Sequence, residues 1–313
     1  FAPATAGKGT TITITGTGFK GAVQVQIGGQ YASFKVISAT QIDAVVGDGA
    51  SGSIFVYGPG GESTAPGFTF ISPPACSSVS PASGGAGTTV TINGSNFSNA
   101  TSVKFGTAPA SSFTVNSATK ITAVVAAGSS DGVTVTTPGG TTTSNLFSFT
   151  APPVITGTST MKGGNNSFIT IQGTNLTGAQ VTIGGVPASV TYNDTNQIYA
   201  TLGSGGSSGD IVIVTPGGTV TLPGFTWVNA PQITSFTPQT AAAGDKVTIK
   251  GTGLGETTAV SFGGVYAIFS ILSPLEIEAT VPNGASGAII VTSPGGSASS
   301  PGFVYKGPSI TSF

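Results

Sequence analysis

The sequence predicts an all-β protein: four tandem antiparallel β-sandwich domains in an elongated rod. Three observations predict it. Pro-Gly-Gly turns recur at Pro59, Pro138, Pro216 and Pro294, separated by 79, 78 and 78 residues. Gly16, Gly94, Gly173 and Gly251 keep the same step. Between these markers lie short alternating runs rich in Thr, Val and Ile, and no long stretch carries the apolar period of a helix. A fixed period of this size marks a repeat architecture, and period-2 alternation of β-branched residues marks half-buried strands.

Each repeat opens on such a run: Thr11 to Thr15, Thr89 to Asn93, Phe168 to Gln172 and Lys246 to Lys250. Next comes a four-residue corner, Gly16-Thr17-Gly18-Phe19, Gly94-Ser95-Asn96-Phe97, Gly173-Thr174-Asn175-Leu176 and Gly251-Thr252-Gly253-Leu254. Its third residue is always Gly or Asn, the residues that best tolerate positive φ. Its fourth is a large apolar residue suited to plug the end of a core. A second strand follows, as in Val23 to Ile27 and Ala259 to Phe262, ending in Gly28-Gly29, Gly106, Gly184-Gly185 or Gly263-Gly264. Later strands include Ile42 to Val46 and Ile277 to Val281, then the strand before each Pro-Gly-Gly turn. The last strand carries Phe68 and Phe70, Phe147 and Phe149, Phe225 and Trp227, or Phe303 and Tyr305. About seven short strands per repeat at this spacing predict an antiparallel sandwich.

The boundaries fall at proline-bearing joints: Ser72-Pro73-Pro74, Ala151-Pro152-Pro153, Ala230-Pro231 and Gly307-Pro308. The predicted domains are 1–73, with an incomplete first strand, then 74–152, 153–230 and 231–306, with 307–313 opening a fifth repeat. Joints this short and this proline-rich are stiff, so the domains should form a semi-rigid string. Phe1 falls within a repeat, at the position of Val79, Thr158 and Phe236. Two expectations follow for the ends: a longer parent chain, or a C-terminal strand, Gly307 to Phe313, that completes the next subunit by head-to-tail strand addition. The longer parent is the preferred of the two.

Composition narrows the functional classes. The chain has nine Lys and no Arg, ten acidic residues, no His and a net charge of −1. So sparse a cationic set cannot build the basic stripe that nucleic-acid binding needs. No apolar run is long enough for a transmembrane helix, so no membrane insertion is expected. Without His there is no Ser-His or Cys-His pair and no imidazole metal ligand; no catalytic residue, cofactor or metal site is predicted. One cysteine excludes an internal disulfide, and the abundance of Thr, Ser and Gly suits a secreted surface protein.

The order of markers in the last repeat resembles the IPT/TIG domain: Pro231-Gln232-Ile233-Thr234-Ser235-Phe236-Thr237-Pro238, then Gly251-Thr252-Gly253-Leu254, Phe262-Gly263-Gly264, Pro294-Gly295-Gly296 and Gly302-Phe303-Val304-Tyr305. All four repeats share it; the third departs most, with Thr160 where the others have Pro3, Pro81 and Pro238. The resemblance implies an immunoglobulin-like sandwich. Of the settings in which this family occurs, a near-pure tandem array most resembles the stalk of a large bacterial surface adhesin. The expected function is therefore a non-catalytic structural stalk segment of an extracellular adhesin or surface filament at the cell surface. Its partners would be neighbouring repeats. The alternatives are a glycan- or protein-binding module, or accessory domains of a secreted polysaccharide-acting enzyme.

Single residues offer few candidates. Tyr31 and Tyr266 follow the Gly-Gly turns where Pro109 and Pro187 stand in the other repeats, and are the candidate ligand contacts, although half-buried packing is the favoured expectation for both. Glu276 and Glu278 share one strand face and are expected to be solvated. Cys76 occupies a position held by Ile155 and Ile233, which predicts a small buried hydrophobe, and Trp227 takes the place of core aromatics. Asn-x-Ser/Thr sequons occur at Asn93, Asn96, Asn99, Asn165, Asn175 and Asn193.

Overall fold

The structure, a computed structural model, describes residues 1–284 and 286–307. The predicted opening of a fifth repeat therefore lies, apart from Gly307, outside the described residues. The chain divides into two compact units, Phe1–Ala151 and Pro152–Phe313. Each unit holds two hydrophobic clusters, and each cluster is closed by strands from its own stretch of sequence.

The fourth repeat shows the plan. One sheet has the order Gln232–Thr237, Lys246–Thr252, Glu276–Thr280, Phe269–Ser273. The facing sheet has the order Thr240–Ala241, Gly296–Tyr305, Gly287–Ser293, Ala259–Phe262, Val265–Ala267. The third repeat has the same order in both sheets. The alternation read from the sequence is the alternation of burial: in Thr11–Thr15 only Ile12 and Ile14 are buried. Between the sheets, Phe105 meets Phe147 at 4.8 Å and Phe262 meets Phe303 at 4.7 Å between ring centroids, within the range of favourable tilted pairs.

The corner behaves as its sequence requires. Gly18, Asn96, Asn175 and Gly253 stand at φ of 75°, 59°, 58° and 67°. This left-handed turn drives Phe19, Phe97, Leu176 and Leu254 into the core, where all four are buried. Asn96 and Asn175 add a bond that glycine cannot make: each side-chain amide donates at 2.9 Å to a joint carbonyl, of Pro73 and Pro152 respectively.

Where the sequence suggested about seven strands, the third and fourth repeats have nine, because pairings of two or three residues join the longer strands. One comes from the first strand, which changes sheets. Gln232–Thr237 runs antiparallel to Lys246–Thr252, and after Pro238 the chain continues as Thr240–Ala241, parallel to Val304 and Tyr305. Proline cannot donate to a ladder, and it marks the point of the switch. The same parallel brace closes the other repeats, at Thr5–Ala6 with Thr69 and Phe70, Ser83–Gly84 with Ser148 and Phe149, and Lys162–Gly163 with Thr226 and Trp227. In the third repeat Thr160 makes the switch without proline: its hydroxyl donates to the Lys162 carbonyl and accepts from the Lys162 amide.

Two repeats depart from the plan. In the first, the first strand is reduced to the bridge between Ala2 and Thr13. In the second, the last strand breaks into Gly140–Ser144 and Ser148–Phe149. The unbroken last strands contain Pro66-Gly67, Pro223-Gly224 and Pro301-Gly302, each with glycine at positive φ. Asn145-Leu146 replaces that pair in the second repeat.

Candidate functional site

The two candidate tyrosines stand on edge strands. Tyr31 pairs opposite Gln26 and is 74% exposed; Tyr266 pairs opposite Ser261 and is 78% exposed. They lie in different compact units, so each is a separate surface feature. Around Tyr266 the sequence continues with exposed Val265, Ile268, Ile271, Leu272 and Leu275, Ile268 reaching 83%.

A further feature lies on the four-stranded sheet of the third repeat. Phe168, Tyr199 and Tyr192 come from three adjacent strands, with Tyr199 between the other two. Ring centroids are 5.7 Å apart for Phe168 and Tyr199, and 5.1 Å for Tyr192 and Tyr199. Phe168 and Tyr192 are exposed; Ile198 and Ala200, flanking Tyr199, are buried, so the rings lie on the outer face. The polar ends of the two tyrosines are anchored. The Tyr192 hydroxyl donates to Asp194 at 2.7 Å, and the Tyr199 hydroxyl to Gln197 at 3.0 Å. Asp194 also accepts from the amides of Asn196 and Gln197, each at 2.7 Å. The Tyr192 hydroxyl first, then these amides, hold the Asp194 carboxyl below its usual range. The same bond to Asp194 raises the Tyr192 phenol.

Sequence reading missed this face, although the period contains the signal. The same three outer positions are Thr11, Asp43 and Lys35 in the first repeat, and Thr89, Thr122 and Thr114 in the second. In the fourth they are Lys246, Glu278 and Ser270. Only the third repeat carries aromatic rings at all three.

The remaining singled-out residues are structural. Glu276 and Glu278 face Lys250 and Lys246 across the ladder at 3.9 and 3.1 Å, exposed pairs of small energetic weight. Cys76 is half-buried against its core rather than fully buried, and burial pushes its thiol up. Trp227 packs against the core of the third repeat while its indole donates to Asn229 at 3.2 Å. Among the described residues, none of the acidic, Cys and His side chains form a group of three that could hold a metal ion. No helix among them is long and apolar enough to cross a membrane.

The model of the IPT/TIG domain matches residues 2–70, 74–151 and 231–305. The chain belongs to the IPT/TIG family. The stretch 153–230 lies outside the three matches, although its sheets have the strand order of the matched fourth repeat. A sequence search among curated proteins finds no match. Solved structures similar to this IPT/TIG chain include one determined with a xylogluco-oligosaccharide, at 18% identity over 90% of this chain and 72% of that one, with a TM-score of 0.34. The Plexin A4 extracellular region aligns at 19% identity over 95% of this chain and 29% of its own, with a TM-score of 0.33. SGBP-B from a xyloglucan utilization locus in Bacteroides uniformis aligns at 20% identity, 64% and 62% coverage, and a TM-score of 0.28. These likenesses carry no inference about binding or activity.

Proposed function

We propose that this chain is a non-catalytic structural segment of an extracellular surface protein, a stalk of tandem sandwiches whose task is reach. We read 153–230 as a further IPT/TIG-like repeat of the array. The observation that carries the proposal is that each of the four cores is closed by its own strands and that the chain passes from one to the next through a short proline-bearing joint. An array of self-contained units joined this way gains length with every copy. Small-angle scattering tests it. A sandwich with its end loops spans roughly 40 Å, so four in line give a rod on the order of 150 Å, with a radius of gyration near ~40 Å. A compact chain of this length would have about 20 Å, and that result would overturn the stalk.

A second reading, recognition of a surface glycan or protein, is favoured by the aromatic face of the third repeat. Three rings, two of them with hydrogen-bonded hydroxyl groups, offer apolar area beside polar groups, the mixture found at recognition surfaces. Tyr31 and Tyr266 are the secondary contacts of this reading. Glycan-array binding by the unsubstituted chain should be lost with Tyr192→Ala and Tyr199→Ala. Binding unchanged by both, and by Tyr31→Ala and Tyr266→Ala, removes these residues from any site.

A further inference from the structure

The Pro-Gly-Gly turn holds two glycines, and the turn itself needs only one. Gly61, Gly140, Gly218 and Gly296 stand at φ of 110°, 135°, 139° and 130°, where any side chain is strained. The glycines before them, Gly60, Gly139, Gly217 and Gly295, lie outside that region, so the hairpin would accept another residue there.

What requires glycine at this position stands in the neighbouring repeat. Within the first compact unit, a Cβ on Gly139 would overlap the carbonyl oxygen of Ser72, in the joint, and stand 3.0 Å from the Ile71 side chain. Within the second, a Cβ on Gly295 would overlap the Val228 carbonyl and stand 2.5 Å from that of Asn229. The contact is matched from the other side. A Cβ on Gly7 would stand 2.5 Å from the Gly139 carbonyl oxygen, and one on Gly164 would stand 2.8 Å from the Gly295 Cα. Gly7 and Gly164 hold the same place in their repeats. In the second unit, polar bonds reinforce the seat: Ser167 Oγ donates to the Pro294 carbonyl at 2.8 Å, and Lys162 pairs with Glu256 at 2.9 Å. Gly139 and Gly295 are buried. Gly60, at the same place in the first repeat, is exposed, with nothing within 4 Å of a Cβ.

We propose that the Pro-Gly-Gly turn is the docking element by which one repeat seats on the repeat before it, and that the neighbour, not the hairpin, requires its first glycine. The partner that fits is another repeat, presenting glycine at the position of Gly7 and the backbone carbonyls of its closing joint. Because backbone meets backbone, the seat sets the orientation of two repeats and leaves their surface side chains free to vary. The turn Pro59-Gly60-Gly61 offers the same surface to a repeat of that kind.

The test uses the whole chain with Cys76→Ser, spin-labelled through Lys35→Cys and Lys104→Cys, one label in each of the first two repeats. The unsubstituted turn should give a narrow distance distribution. Gly139→Val should replace it with a broad one, and so should Gly7→Val, which leaves the hairpin sequence intact. Gly60→Val should leave it narrow. Circular dichroism separates a lost seat from a lost fold; if Gly139→Val unfolds the second repeat, Gly7→Val decides. A broad distribution before substitution, a narrow one with Gly7→Val, or equal broadening by Gly60→Val would each overturn the proposal. The seat stands apart from the stalk reading: compact scattering with a narrow distance distribution would remove the stalk and keep the seat.

Discussion

At the scale of single residues, the steepest demands come from the buried aromatic pairs and the corner glycines. Phe147 and Phe303 are almost fully buried, each against a second phenylalanine. Phe303→Ala should cost about 3–5 kcal/mol of stability, measured by chemical denaturation. Gly251 is constrained differently: a Cβ there would overlap the Gln232 carbonyl, whereas at Gly16 it would meet only the Phe19 ring. Gly251→Ala should therefore destabilise by roughly 1–3 kcal/mol through overpacking, with a smaller loss for Gly16→Ala, whose neighbour is a side chain that can shift. Cys76 offers a chemical readout. Burial raises its thiol pKa, so less thiolate is present near neutral pH than at a free cysteine. Reaction with a disulfide reagent should be slow in the native chain and accelerate in denaturant; equal rates would show the thiol to be free of the core.

At the scale of elements, the turn after Asp194 is the one with a defined pH response. Its carboxyl is held low by the Tyr192 hydroxyl and two backbone amides. A depressed carboxylate contributes stability above its unfolded pKa and loses that contribution as pH falls through the folded value. Carbon-detected NMR of the Asp194 carboxyl should show a midpoint below the ordinary aspartate value, and Tyr192→Phe should move it back up. Most of the elements were legible from sequence because strand alternation and corner residues are local signals. Thr11–Thr15 and its three counterparts could be read from their β-branched residues, and the corner from Gly or Asn followed by Phe or Leu. The two-residue strands were not legible, since Thr240–Ala241 forms only where the chain leaves one sheet for another, a tertiary event. The aromatic face was hidden for a different reason. Phe168, Tyr192 and Tyr199 are scattered along the chain, and only ladder register brings them together. Half-buried packing was the favoured expectation for Tyr31 and Tyr266, and the structure exposes both, because each stands on a very short strand at a sheet edge.

At the scale of the whole molecule, cores that close separately should fail separately. Calorimetry of Phe303→Ala should show the heat of the fourth repeat moving to lower temperature while transitions of the first compact unit stay in place; a single transition shifting as a whole would contradict this. The parallel brace has a mechanical consequence. In every repeat an early segment of the chain runs parallel beside the end of the last strand, and amides of the last strand donate to it. Thr69 and Ile71 donate to Ala4 and Ala6, Thr226 and Val228 to Met161 and Gly163, and Val304 and Lys306 to Gln239 and Ala241, at 2.8 to 3.0 Å. Tension on the two ends of a repeat pulls these neighbouring parallel segments past each other. The bonds are then loaded together in shear instead of being unzipped one at a time, so a pull along the chain meets its resistance at the brace before the cores are exposed.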